Sequence, residues 1–430
     1  MIFLYLLYIS IILVAARASI NSDVQRHLDV SNAMLKMTVD IKAKNIKDEY
    51  KICFPDRLAY RLSMLTASMK GQEIPLSEPQ TDGHYTFFTL TLNETEAIFK
   101  FVAIFTDILE QYPREISQND NQKVLFKENV YFTSPYHTEK QKTIVKLASA
   151  SVESFTKAEP YSHRGSSLVY GPFQEIGPLQ NFPLTVHYMN NKPFMKLTEV
   201  GREIEVSHWG NVAVEETYDL THAGAKLSGG FSRFDYQHAS SVSPSFRSLR
   251  TKLPREAHSI YYRDQIGNIS SSSIQTLKSS IALDIETRFP MFGGWQTEFY
   301  IGYSLPTESI LAIDANGRYI LRFSFFAGFE GAWAEDMETK IILPEGSFDI
   351  RVDSPYPIEQ STSIRYTFLD SELNGGRPVL IIKAKNIIEE HNKEIRVSYE
   401  FRRSRMIAEP IMLMVAFFTF YTVCMVLTRL

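Results

Sequence analysis

The sequence predicts a mainly β protein, with two β-rich domains on the lumenal side of a membrane followed by one C-terminal transmembrane helix. Three observations lead there. Apolar and polar residues alternate at period two over many short stretches. Aromatic residues make up 13% of the chain, with 29 Phe and 22 Tyr, a bias that suits pleated, half-buried surfaces. Two uncharged apolar runs stand at opposite ends of the 430 residues.

The first of these runs, Ile2 to Val14, is apolar apart from Ser10 and too short to span a bilayer. Ala16-Arg17-Ala18 follows, with small residues where signal peptidase requires them, so residues 1–18 are expected to be a secretory signal cleaved after Ala18. An uncleaved anchor is the alternative, because no Lys or Arg precedes the run.

Strand patterns occupy the interior. Met37, Val39 and Ile41 alternate with Thr38, Asp40 and Lys42. The same period recurs at Ile281, Leu283 and Ile285, at Phe348, Ile350 and Val352, and at Ile395, Val397, Tyr399 and Phe401. Each stretch puts its apolar groups on one face, as antiparallel sheets with one packed and one wet face require. Val379 to Ile382 reads as a fully buried strand. The best soluble helix is expected at Glu139–Glu153, with Ile144, Leu147 and Ala148 on one side. No strand–helix alternation points to a parallel sheet.

Serines and a proline without periodicity mark residues 238–250 as a linker. The expected organisation is a first β domain over 19–237, a second over 251–408, a membrane helix over 409–428 and a short cytosolic end at 429–430. The pairs Gly210-Asn211 and Gly267-Asn268, each opening an alternating stretch, hint that the two domains are related.

Ile411 to Leu427 carries no charge and sits near the lower length limit for a spanning helix. A helix apolar all round needs lipid or a very large core, and a buried core helix is the alternative. Arg402, Arg403 and Arg405 precede it and Arg429 follows. The positive-inside rule taken alone would place the N-terminal flank in the cytosol. A cleaved signal acts earlier in synthesis and commits that flank to the lumen, so acidic partner groups or lipid headgroups are expected to meet the three arginines. Cys53 is lumenal and Cys424 lies in the helix, so they cannot pair, and Cys53 reads as a small buried hydrophobe rather than a reactive thiol.

Reactive motifs are missing from the sequence. It has no His-Glu-x-x-His, no Gly-x-Ser-x-Gly elbow, no phosphate-binding glycine loop and no Asp-x-Asp pair. A triad brought together only by folding would leave no such motif. His208-Trp209 and His391 read as packing or turn residues rather than ligands. Phe289 to Trp295 reads as core packing around a Gly293-Gly294 hairpin turn, with an exposed partner-binding patch as the alternative. No catalytic, cofactor-binding or metal residue is expected. A formal net charge of −4 makes nucleic acid a poor partner. Asn93-Glu94-Thr95 and Asn268-Ile269-Ser270 are N-glycosylation candidates.

Several longer stretches, taken together, resemble the ribophorin I family. They are Glu205–Glu216, which contains Ser207-His208-Trp209-Gly210-Asn211, then Gly229–Gln237, Tyr261–Asn268, Arg288–Trp295, Ile341–Gly346 and Gly376–Val379, with Tyr131–Tyr136 upstream. The resemblance implies two β-sandwich-type lumenal domains, like the N-terminal β domain of certain zinc aminopeptidases without their zinc-site domain. It implies a single-pass type I protein of the endoplasmic reticulum membrane. It also implies a non-catalytic subunit of oligosaccharyltransferase, the complex that moves a preassembled glycan from dolichyl pyrophosphate to Asn of Asn-x-Ser/Thr. The expected partners are the other subunits, including a polytopic catalytic one, and nascent polypeptide. The catalytic subunit's Trp-Trp-Asp signature is not matched, since Trp209, Trp295 and Trp333 stand apart. Animal members carry a cytosolic extension beyond the anchor, and a chain stopping at Leu430 resembles the shorter fungal type. Two other classes fit the residues less well: a membrane-anchored lumenal chaperone or quality-control receptor for unfolded glycoproteins, and a hydrolase whose site carries no motif.

Overall fold

The computed structural model describes residues 19–238, 244–326, 328–367, 370 and 375–429. The expected signal, 1–18, lies outside them, as do 239–243 of the expected linker and Leu430.

The chain divides into two compact units. The first runs up to Phe194 and adds Ala223–Phe246 and Phe292–Gly294; the second takes Met195–His222, Arg247–Met291 and everything from Trp295 on. The strands of the first begin with β1 (Ile20–Val30), β2 (Leu35–Lys44), β3 (Glu49–Pro55), β4 (Leu62–Met69), β5 (Gln72–Ile74), β6 (Gln80–Asp82), β7 (Tyr85–Thr91) and β8 (Glu96–Phe105). They continue as β9 (Glu110–Gln111), β10 (Glu115–Ile116), β11 (Lys123–Asn129), β12 (His137–Leu147), β13 (Val152–Phe155), β14 (Tyr161–Arg164), β15 (Ser167–Ile176) and β16 (Pro183–Met189).

The second unit holds β17 (Met195–Val206) and β18 (Asn211–His222), while β19 (Lys226–Leu227) belongs to the first and pairs with β10. Then come β20 (Phe246–Pro254), β21 (His258–Asp264), β22 (Gly267–Asn268), β23 (Ser273–Thr276), β24 (Ser280–Met291), β25 (Gln296–Pro306), β26 (Leu311–Ile313) and β27 (Tyr319–Ser324). The last are β28 (Trp333–Ile342), β29 (Ser347–Asp353), β30 (Glu359–Arg365), β31 (Arg377–Ile388) and β32 (Glu394–Phe401). The mainly β prediction holds.

The two units repeat one topology. The first has an eight-stranded sheet in the order β14-β15-β12-β1-β2-β8-β4-β5, with smaller sheets β13-β16-β11-β9 and β3-β7-β6. The second has β30-β31-β28-β17-β18-β25-β21-β22, with β29-β32-β27-β26 and β20-β24-β23. Replacing each strand of the first by its counterpart in chain order, skipping β10 and β19, reproduces all three sheets of the second. The domains are therefore related in topology. The Gly-Asn pairs that hinted at this are not equivalent, however, since both fall in the second unit.

In both large sheets one neighbour pair is parallel, β1 with β12 and β17 with β28. The sequence suggested only antiparallel pairing. The long connection that a parallel pair needs runs here through further strands of the large and the smaller sheets rather than through a single crossover helix, so no strand–helix alternation marks it. A cut at 238–250 would leave β17 and β18 in the first domain; their ladders to β28 and β25 bind them to the second. Of that expected linker, residues 246–250 begin β20.

Alternation places the core. Met37, Val39 and Ile41 of β2 are buried, as are Ile281, Leu283 and Ile285 of β24 and Ile395, Val397 and Tyr399 of β32. In the first unit Phe54 of β3 packs edge-on against Phe105 of β8 at 5.3 Å, and Tyr50 against Phe99 at 4.8 Å. Burying each such ring removes apolar area worth roughly 1.5–3 kcal/mol. Cys53 lies among them, fully buried, and burial pushes its thiol up to about 12, which makes it an inert packing residue.

The helix expected at Glu139–Glu153 is not formed. Those residues make most of β12 and part of β13. Ile144, Leu147 and Ala148 happen to sit at helical spacing, but the buried face is Gln141, Thr143, Val145 and Leu147. Two of those four are polar, so hydropathy hides the period of two. Their polarity is satisfied locally: Gln141 Nε2 donates to the Val130 carbonyl at 3.1 Å, and its Oε1 accepts from the Phe132 amide at 3.0 Å.

Among the described residues each unit carries one buried arginine, at an equivalent place. Arg26 on β1 lies opposite Thr143 of β12, and Arg202 on β17 lies opposite Thr339 of β28. Each guanidinium donates to the carbonyl of the last residue of β11 or its counterpart β27, Asn129 at 2.7 Å and Ser324 at 2.5 Å. The counter-charge differs. In the first unit it is Glu128 of β11, at 2.9 Å, itself shared with Arg57. In the second, Phe323 occupies that position under the guanidinium, and the carboxylate is Glu216 of the neighbouring β18 at 2.9 Å.

Candidate functional site

The longest helix, Ala408–Arg429, follows a short 3-10 turn at Arg403–Ile407. Its 22 residues rise about 1.5 Å each, enough to cross a hydrocarbon layer of about 30 Å. Phe417, Phe418, Phe420 and Tyr421 all stand exposed, and none of the most apolar window is buried. Both threonine hydroxyls in the run are closed on the backbone. The Thr419 hydroxyl donates to the Val415 and Ala416 carbonyls, and Thr422 to Phe418 and Thr419, so neither costs an unsatisfied group in lipid.

The entrance to this helix is built from three pieces of the second unit. Phe401 ends β32. The turn between β17 and β18 brings the His208 ring within 4.2 Å of the Phe401 ring and 4.4 Å of Tyr319. His208 Nε2 also shares a 2.8 Å hydrogen bond with the Tyr399 hydroxyl. The expectation that His208 is a packing and turn residue is met. Its neighbour Trp209 is 65% exposed at the tip. Gly210 turns there with φ +109, the left-handed side that favours glycine. The third piece is the start of β29. A bulge between Phe348 and Arg351 shifts the alternation predicted there, so Phe348 is exposed with the Arg402 guanidinium 5.5 Å from its ring centre.

Burial, and then the nearby Arg403 charge, push the His208 imidazole down to about 4 from an ordinary 6.5. The sign follows. Between those values an unfolded chain binds a proton that the folded one refuses, so the turn is less stable as pH falls from about 6.5 to about 4, and flat above 6.5. Hydrogen exchange at Val206 and Val212, corrected for intrinsic rate, should quicken over that window and lose the dependence in His208→Phe. An equal slope in that variant would refute the assignment.

The two sequon asparagines are both exposed. Asn93 lies in the loop between β7 and β8. Asn268 lies in β22, paired with Arg263 of β21, whose guanidinium donates to Asn268 Oδ1 at 2.6 Å. His391 is buried, as its packing role predicts, and its Nδ1 accepts from the Ile388 amide at 3.2 Å. In the 289–295 segment Met291 and Phe292 are buried, while Phe289 is 38% exposed. That turn is not a hairpin, because β24 and β25 lie in different sheets.

Among the described residues no group of three or more His, Cys, Asp or Glu is placed to hold a metal ion. A groove of about 660 Å³ in the second unit is lined by Glu199, Asp336, Glu338, Glu359, Lys383 and Lys385 among others. Two of these four carboxylates are paired within it: Glu338 with Lys383 at 3.0 Å and Asp336 with Lys385 at 3.6 Å. The charged groups that sequence reasoning missed are the buried ones, Arg26, Glu128, Arg202 and Glu216. A signal existed. Each stands in the apolar phase of its strand, as in Val24-x-Arg26-x-Leu28 and Val212-x-Val214-x-Glu216-x-Tyr218.

The Ribophorin I family model matches residues 19–428, both β units and the helix together. The chain belongs to the ribophorin I family. Similar proteins are named dolichyl-diphosphooligosaccharide–protein glycosyltransferase subunit 1. One is subunit 1A of Arabidopsis thaliana, 36% identical over 463 residues, covering 99% of this chain and 73% of that protein. Another is subunit 1B of Oryza sativa subsp. japonica, 41% identical over 74% of this chain and 67% of that protein. A third, from Caenorhabditis elegans, is 34% identical over 95% of this chain and 72% of that protein. Among solved structures, the M1 zinc metallopeptidase of Deinococcus radiodurans is 12% identical over 44% of this chain and 48% of that one, with a TM-score of 0.24, which carries no argument. Within this ribophorin I-family chain, the stretch Glu205–Glu216 is the end of β17, the exposed turn and the start of β18, at the entrance to the helix.

Proposed function

We propose that this chain is a non-catalytic subunit of a dolichyl-diphosphooligosaccharide–protein glycosyltransferase in the endoplasmic reticulum membrane. It is oriented with both β units in the lumen and the C-terminal helix across the bilayer. The observation that carries this reading is the exposed apolar helix of spanning length, the one such helix among the described residues, joined to a packed β unit, in a family whose relatives are named subunit 1 of that enzyme. Transfer from a lipid-linked donor needs a groove between several helices to hold the polyprenyl chain. One helix offers a side, not a groove. What it can do is pack on a polytopic catalytic subunit, through its Ala416 and Thr419 side, and keep the β units beside emerging acceptor polypeptide.

Replacing Ile411–Leu427 by an unrelated apolar helix should release the chain from the detergent-solubilised complex while leaving it in the membrane. Retention on pull-down would refute the docking role. The full chain purified alone should leave an Asn-x-Thr peptide unglycosylated when given the lipid-linked oligosaccharide. Unaided transfer would overturn the non-catalytic reading.

Both sequons are compatible with a glycan on the folded surface. Asn93 lies in an open loop, whereas at Asn268 a glycan joined to Nδ2 crowds the Arg263 guanidinium that donates to Oδ1 of the same amide. Endoglycosidase treatment should therefore shift the chain's mobility, and Asn93→Gln should remove more of that shift than Asn268→Gln. The reverse order would refute the distinction.

A further inference from the structure

The geometry points to a lipid-headgroup contact at the helix entrance, where Trp209 and Phe348 rest in the lumenal interfacial layer and Arg402 and Arg403 meet lipid phosphates. This inference rests on reading the C-terminal helix as membrane-spanning. The apolar run begins at Ile411, eight residues beyond Arg403. At helical rise that is on the order of 12 Å, about the depth of the headgroup layer plus the reach of a guanidinium. The arginines therefore stand at phosphate level whenever the helix is inserted.

The β17–β18 turn is fixed to the same level, because the His208 ring touches that of Phe401, two residues before Arg403. Trp209, at the tip of that turn, is 65% exposed although the residues on either side are held: the Ser207 carbonyl accepts from the Thr307 hydroxyl at 2.9 Å, and the Gly210 carbonyl from the Thr307 amide at 3.2 Å. A rigid turn presenting one large amphipathic ring suits the boundary between headgroups and acyl chains. Phe348 is turned outward by the β29 bulge onto the same rim, under Arg402. Neither Arg402 nor Arg403 pairs with a carboxylate among the described residues. Burial keeps His208 from adding a charge of its own to the rim. A phosphate layer satisfies both the charge and the exposed rings at once. It also removes the conflict with the positive-inside rule, since these arginines act as anchors to headgroups rather than as signals of sidedness.

The test uses the full chain in phosphatidylcholine nanodiscs carrying a nitroxide either on the headgroup or deep on the acyl chain. Trp209 is isolated as the difference in emission between the chain and Trp209→Phe. The expected result is strong quenching of that component by the headgroup label and little by the deep label. It should be lost in Arg402→Glu with Arg403→Glu. Phe418→Trp in the Trp209→Phe background reports the helix and should be quenched by the deep label. If Phe418→Trp is quenched and Trp209 is not, the headgroup contact is wrong and the anchor stands. If neither is quenched, the spanning helix falls and the contact with it. Trp209 quenching that persists in the charge-reversed variant would overturn the role of the arginines.

Discussion

Arg202→Met is expected to destabilise the second unit by about 3–5 kcal/mol, and by more than Arg26→Met destabilises the first. Both guanidiniums are almost completely buried, and removing either leaves a carboxylate away from water. What remains around that carboxylate differs. Glu128 keeps Arg57, half-exposed and 2.9 Å away, as a full counter-charge. Glu216 keeps only hydroxyls, from Tyr218 at 2.8 Å and Tyr303 at 3.5 Å. A hydroxyl donates one hydrogen bond but does not cancel a charge, so Glu216 is left as a buried, uncompensated carboxylate. All three tryptophans lie in the second unit, with Trp333 buried on β28, so their emission follows the unfolding of that unit. The Arg202→Met transition should move to markedly lower denaturant, and adding Glu216→Leu should recover most of the loss. Hydrogen exchange along β1 and β11 gives the matching value for Arg26→Met. Equal losses in the two units, or no recovery in the double variant, would show that the counter-charge is not what matters.

Gly293→Ala should cost about 3 kcal/mol or more, at the top of the range for overpacking, although it adds a single methyl group. A Cβ at 293 would overlap the carbonyl group of Ala225, which is backbone and cannot rotate away as a side chain would. The two segments are held close by the Leu227 amide, which donates to the Gly293 carbonyl at 3.1 Å, while the Lys226 amide, donating to the Arg114 carbonyl at 2.8 Å, pins the Ala225 segment from the other side. Easing the overlap means breaking the first of these. Gly71→Ala supplies the contrast, because nothing lies within 4 Å of a Cβ there and its cost is that of a positive φ alone. Hydrogen exchange at Lys226 and Leu227 reads the effect directly. Protection in Gly293→Ala within a few tenths of a kcal/mol of the parent would contradict the close approach.

The strands were legible because a sheet with one packed face writes its period into hydropathy, as at Met37–Ile41 and Ile395–Tyr399. Legibility failed where the buried face is polar. Gln141 and Thr143 broke the pattern of β12, and three apolar residues at helical spacing then suggested a helix. It failed again at β29, where a bulge reversed the facing of Phe348 against a correct strand assignment. The repeat of topology was invisible for a related reason. Equivalent strands of the two units share a place in a ladder rather than a run of residues, and the Gly-Asn pairs that seemed to mark the repeat do not correspond.

By itself the sequence determined the β-rich class, the apolar C-terminal run, the paucity of reactive motifs and the resemblance to ribophorin I. All of these are written in composition, in local period or in contiguous stretches. Only the tertiary structure decided which strands are neighbours, that the β17–β18 hairpin belongs to the second unit, that arginines 26 and 202 are equivalent while their carboxylates are not, and that Trp209 stands beside the start of the helix. Several of those facts join residues more than a hundred positions apart, as with Arg202 and Ser324 or His208 and Phe401. Pairing at that range is selected by burial and hydrogen bonding across sheets, which no local pattern along the chain records.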